Sequence, residues 1–164
     1  MSRGDRRPIP DAPAADRIQE KANNRLGAVY SALYSFWSAR YAAVTSGQQA
    51  IGARRDAYSI ILFDDTAKNA VVNDFTSTPD QLLDGVLNER AKGGTNFTAA
   101  IQASQAVMID NWSTERFVFF NCFRLIAHSL TICRTPVMVF LSDGQSSVQD
   151  KAVVDLCRSA IRHG

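Results

Sequence analysis

Two short stretches hold the residues best suited to chemistry. In "GGTNF", two glycines permit a tight backbone turn and Thr95 then stands at or next to a helix start with its hydroxyl available. In "TPVMVFLSDGQSS", five consecutive apolar residues end abruptly at Ser142, Asp143 and Gly144. An aspartate just beyond a buried strand sits where open α/β sheets collect their ligands, at the carboxyl ends of strands. A threonine hydroxyl and an aspartate carboxylate on neighbouring loops are hard oxygen donors, of the kind that magnesium accepts. Each residue also has a plain structural reading, Thr95 as a helix cap and Asp143 as a turn-forming Asp-Gly.

The elements that would position them follow from periodicity. Leu26, Val29, Tyr30, Leu33, Trp37, Tyr41 and Val44 step at three and four, which predicts an amphipathic helix ending before Gly47. "AYSIILF" and "AVVNDF", separated by "DDTAKN", read as two short strands. Thr78 followed by Pro79 and Asp80 starts a helix whose buried stripe is Leu82, Leu83, Val86 and Leu87. The helix opened by "GGTNF" turns Phe97, Ala100, Ile101, Ser104, Val107 and Met108 inward, "VMVFL" is a strand, and "VQDKAVVDLCRSAIRHG" begins a further helix. Alternating helices and strands predict an α/β sandwich with a mainly parallel sheet, and an uninterrupted apolar strand such as Val137 to Leu141 belongs at its centre.

Composition narrows the class of function. The 164 residues suit one domain, and a hydrophobic content of 46% supplies a sizeable core. Eighteen basic against 16 acidic residues leave a net charge of +2, which advertises neither nucleic acid nor an anionic membrane. Residues 1–24 mix Arg, Asp, Pro and Ala without periodicity and predict a disordered lead without the apolar middle of a signal peptide. Three cysteines, Cys122, Cys133 and Cys157, lack metal-ligand spacing and fit reduced thiols in a cytoplasmic protein.

With these flanks and in this order, "RLGAVYSALYSFW", "YSIILFDDTA", "GGTNFTAAI" and "VMVFLSDG" resemble a von Willebrand factor A domain between about Arg25 and Ile161. The resemblance implies a Rossmann-like sandwich with helices on both faces of the sheet. It also implies a metal-ion-dependent adhesion site holding Mg2+ or Mn2+, which binds a partner protein's carboxylate rather than catalysing. The positions that match the site are Thr95 and Asp143. The family's Asp-x-Ser-x-Ser loop is absent, no apolar run before Leu26 could be its first strand, and the final strands are missing, so residues 25–164 read as a partial domain. "DFTST", with Asp74, Thr76 and Thr78, keeps the spacing of that loop but follows a different strand; its plain reading is a strand end and a cap for Pro79.

Phe117 to Arg134, "FVFFNCFRLIAHSLTICR", interrupts the match. It reads either as an extra hydrophobic element or as translated non-coding sequence, since pyrimidine-rich codons decode to Phe, Leu, Ser and Cys; the second is preferred. Neither His128 within it nor His163 near the end of the chain reads as a ligand or base. No nucleophile elbow, Cys-x-x-Cys or phosphate-loop motif occurs, so an enzyme is not expected. Two alternatives to the metal reading stand: phosphate or another anion held by backbone N–H groups at the "GGTNF" helix start, and a fragment with no ligand.

Overall fold

The computed structural model describes residues 12–46, 56–90, 93–117, 137–142 and 147–163. They form five helices and a hairpin: α1 (Ala15–Lys21), α2 (Arg25–Thr45), β1 (Tyr58–Phe63), β2 (Ala67–Asp74), α3 (Pro79–Leu87), α4 (Phe97–Phe117) and α5 (Asp150–His163). The class is therefore mixed helix and sheet. Met1–Ile60 with Asn69–Gly94 make one compact unit, and Ile61–Lys68 with Thr95–Gly164 make a second.

The first unit is built on α1, α2, α3 and most of the hairpin. Asn24 caps α2 by accepting from the N–H groups of Leu26 (3.0 Å) and Gly27 (3.3 Å), which fixes the turn out of α1. At that turn Gly27 lies directly over the Ala22 carbonyl oxygen, and a methyl group there would be driven into it. Thr78 and Gln81 form a reciprocal capping box at the start of α3, with Pro79 just inside. The stripe Leu82, Leu83, Val86 and Leu87 is buried as its spacing predicts, against Tyr30 and Trp37 of α2. Ile18 of α1, 2% exposed, completes this core. Residues 15–21, expected within a disordered lead, are thus helical, and Arg17 ties them to α3 through Asp80 (3.0 Å) and Asp84. Burying one isoleucine and forming two ion pairs offsets the weak intrinsic stability of a seven-residue helix.

In the second unit, α4 packs on α5 through Ile101, Ala152 and Leu156, with Met108 and Val148 alongside. Gln105 Nε2 donates to Ser159 Oγ at 2.8 Å across the same seam. Of the face predicted for α4, Ala100, Ile101 and Val107 are buried and Phe97, Ser104 and Met108 half-buried.

One central expectation is corrected. The sheet of the described residues is the β1–β2 hairpin alone, antiparallel, and Val137–Leu141 belongs to no strand. Val137 is 81% and Val139 73% exposed, the reverse of a strand covered on both faces. An apolar run states how much a strand would bury; it cannot supply the neighbours on which a central strand must hydrogen-bond. The segment from 118 to 136, and with it nearly all of the interruption read between Phe117 and Arg134, lies outside the described residues. Among the described residues no helix is long and apolar enough to cross a membrane.

Candidate functional site

Thr95 lies at the foot of α4, and the loop that carries it is anchored by its neighbour. Asn96 donates its backbone N–H to the carbonyl oxygen of Asp64 (2.7 Å) and its side-chain amide to that of Asp65 (3.2 Å), the two residues that follow β1. Its Oδ1 accepts from Ala99 N at 3.0 Å. Asn96, not Thr95, is therefore the cap of α4. Sequence reasoning passed over it, although asparagine three residues before a free helical N–H is among the strongest capping signals. Gly93, with φ 73°, takes the left-handed turn that the glycine pair was expected to provide.

With capping assigned to Asn96, the Thr95 hydroxyl is not needed to start the helix. Thr95 is half-buried, and no hydrogen bond of its side chain is found among the described residues. Asp143 lies outside the described residues, so the Thr95–Asp143 separation is not part of the geometry. The chain on either side of it does reach the foot of α4. Phe140 packs on Phe97 edge to face (centroids 5.2 Å apart) and stacks on Phe63, the last residue of β1 (5.1 Å), while Phe63 and Phe97 meet at 6.0 Å. Beyond it, Gln149 N donates to Thr98 Oγ1 at 3.3 Å. Three loops thus converge: the end of β1, the start of α4 and the approach to α5.

The turn after β1 also folds back on itself. Asp64 Oδ1 accepts from Thr66 N (2.9 Å) and Thr66 Oγ1 (3.0 Å), which closes the hairpin.

The "DFTST" stretch proves structural. Asp74 Oδ2 accepts from Ser77 Oγ at 2.6 Å, and its Oδ1 from the N–H groups of Thr76 and Ser77, both at 2.9 Å. Those hydrogen bonds, the Ser77 hydroxyl foremost, hold the carboxyl below the usual aspartate range. Thr78 is committed to the capping box. The carboxylate and the hydroxyls that could have mimicked a metal loop are engaged with one another and with the backbone around them.

A shallow groove in the first unit is lined by Trp37, Tyr41, Tyr58 and Phe75, with Arg40 and Asp56 in its wall. These two charges answer each other through Nε–Oδ2 at 2.7 Å and Nη2–Oδ1 at 3.2 Å, a bidentate pair that locks α2 to the chain entering β1. The groove presents no acid–base or nucleophile pair.

Among the described residues no group of three or more His, Cys, Asp or Glu side chains could hold a metal ion. Cys157 is a free, exposed thiol. Comparison with protein-family models, with curated proteins and with solved structures finds no match.

Proposed function

We propose that this chain is a partial von Willebrand factor A-like domain of the cytoplasm, a protein-interaction module with a degenerate metal-ion-dependent adhesion site at Thr95 and Asp143. In this reading the mainly parallel Rossmann-like sheet is incomplete, and the helices and hairpin are the parts this chain retains. The observation that carries it is the ring cluster of Phe63, Phe97 and Phe140, which gathers the end of β1, the residue two after Thr95 and the residue three before Asp143. The Thr95 hydroxyl, relieved of capping by Asn96, is the second support.

The donor set fits a hard cation in kind and falls short in number. Magnesium requires six oxygens in a near-octahedral array and keeps several waters, so a useful site offers one or two carboxylates with further fixed donors. Here there are one carboxylate and one hydroxyl, while the Asp74 carboxylate is bound into the turn after β2 by Thr76 and Ser77. Affinity for Mg2+ or Mn2+ is accordingly millimolar or weaker. When bound, the metal would offer an open position to a carboxylate of a partner protein; Thr95 and Asp143 would only hold it. Anion binding at the foot of α4 is disfavoured, because Asn96 Oδ1 already occupies the Ala99 N–H that an anion would use.

Calorimetric titration of the chain with MgCl2 and MnCl2, repeated on Asp143→Ala and Thr95→Ala, tests this reading. Weak binding lost in both variants supports it. Micromolar binding, or weak binding indifferent to both substitutions, rejects the assignment.

A further inference from the structure

α1 is the least self-sufficient element of the first unit. Its seven residues are too few to hold a helix alone, no side chain caps its start, and Ala14 just before it takes φ 61°, a left-handed conformation disfavoured for alanine. What holds α1 is a specific seat. Ile18 and Ala22, one turn apart, are buried in the core that contains Tyr30, Leu83 and Val86, and Ala14 packs against the same core one turn earlier. The last turn of α1 comes so close to α2 that a methyl group on Gly27 would collide with the Ala22 carbonyl oxygen. Beside the seat, Arg17 spans Asp80 (3.0 Å) and Asp84, one turn apart on α3, and Tyr34 Oη donates to the same Asp80 oxygen at 3.3 Å. The three charged side chains are 37%, 62% and 65% exposed, so water competes for this clasp.

We infer that α1 is a displaceable strap, and that the seat it occupies on α2 and α3 takes a helix of a partner protein with the same face: an arginine just before a branched apolar anchor, and small residues one turn to either side. The resident helix shows what the seat accepts. When α1 lifts, it leaves an apolar floor, the open approach at Gly27, and Asp80 and Asp84 without their arginine. An apolar floor alone would receive any amphipathic helix; the two aspartates at its edge select a cation one residue before the anchor, and Gly27 selects a helix whose backbone comes close. The strap and the partner helix exclude each other. Affinity for the partner is therefore lowered in proportion to the fraction of molecules whose strap is lifted, and anything that loosens α1 raises it. All of these residues belong to the first unit, so the inference stands apart from Thr95 and Asp143.

Hydrogen exchange of the full chain, and its titration with a fluorescent peptide of residues 12–24, test the inference. The Ala22 amide, bonded to the Ile18 carbonyl oxygen at 2.7 Å, should exchange at least about tenfold faster than the slowest amides of α2 and α3, through an opening of α1 alone. The peptide should bind the parent chain weakly. Ile18→Asp in the chain unseats the strap and leaves the seat, so affinity for the peptide should rise about tenfold or more. Arg17→Glu, which removes the clasp without touching the core, should act in the same direction, and it decides the matter if Ile18→Asp loses its circular dichroism spectrum. Adding Gly27→Ala to either variant should abolish binding, although alanine is the better helix former within α2. A designed helical peptide that keeps only Ala14, Arg17, Ile18 and Ala22 of this face should displace the fluorescent one, and its Arg17→Glu version should not. An Ala22 amide that exchanges only with global unfolding, affinity indifferent to both chain variants or to Gly27→Ala, a competitor indifferent to its arginine, or dimers that swap α1 between copies in place of peptide binding would each overturn the proposal.

Discussion

Asn96 binds the carbonyl oxygen of Asp64 through its backbone N–H at 2.7 Å, so the first turn of α4 hangs from the end of β1. The same residue reaches the Asp65 carbonyl and caps the helix, which makes it the bracket that holds Thr95 in place. Replacing Asn96 with alanine keeps the backbone bond and removes the two side-chain bonds. The loss of the cap should cost about 1 kcal/mol of unfolding free energy, measured by urea denaturation. Thr95→Ala, by contrast, should leave stability within about 0.5 kcal/mol, because its hydroxyl supports no described contact. Equal losses in the two variants would return the capping role to Thr95.

Tyr30 predicts a dependence on alkaline pH. Its ring is completely buried against α1 and α3, and its hydroxyl has no hydrogen-bond partner among the described residues. Burial, reinforced by the negative charge of Glu89, pushes its pKa up to about 12. The unfolded chain releases this proton near pH 10 while the folded chain retains it, so the contribution is fully present below pH 10 and is lost as pH rises from about 10 to 12. Tyr30→Phe should abolish that component of the alkaline loss. At neutral pH the variant should be as stable as the parent or more stable by about 1 kcal/mol, since an unsatisfied buried hydroxyl is removed. Thermal unfolding of both chains at neutral and alkaline pH checks both signs, and a marked loss at neutral pH would reveal a hydrogen bond to that hydroxyl.

Val139 separates the reading of the sequence from the observed fold. A valine inside a central parallel strand tolerates no charge, whereas one that is 73% exposed does. Val139→Asp should change stability by no more than about 0.5 kcal/mol in chemical denaturation. A loss of several kcal/mol would mean that the segment is buried as a strand after all.

Residues that declare their role locally were legible. Thr78 and Pro79 mark the start of α3 by chemistry between adjacent residues, and Leu82, Leu83, Val86 and Leu87 lie on one face because the helix has 3.6 residues per turn; the reciprocal bond from Gln81 went unread. The hairpin was legible for a similar reason, although its turn is only Asp64 to Thr66, shorter than expected, because Thr66 folds back onto the Asp64 carboxylate. What failed depended on partners distant in the chain. Ile18 is helical and buried because α2 and α3 receive it, and nothing within residues 12–24 announces that. Val137–Leu141 has the composition of a central strand, but among the described residues no strand flanks it. At the candidate site the glycine turn and the position of Thr95 beside a helix start were readable from "GGTNF". The anchoring of Asn96 to Asp64 was not, because it joins residues 32 positions apart.

Paramagnetic relaxation with Mn2+ probes the weak metal site proposed at Thr95 and Asp143. Amide resonances of the isotopically labelled chain would be followed as MnCl2 is added, in the parent and in Asp143→Ala. Selective broadening of Thr95 and of the residues flanking Asp143 is expected at millimolar Mn2+, reversed by excess Mg2+ and absent from the variant. Broadening centred elsewhere, or none at Thr95 when Asp143 is broadened, would contradict it.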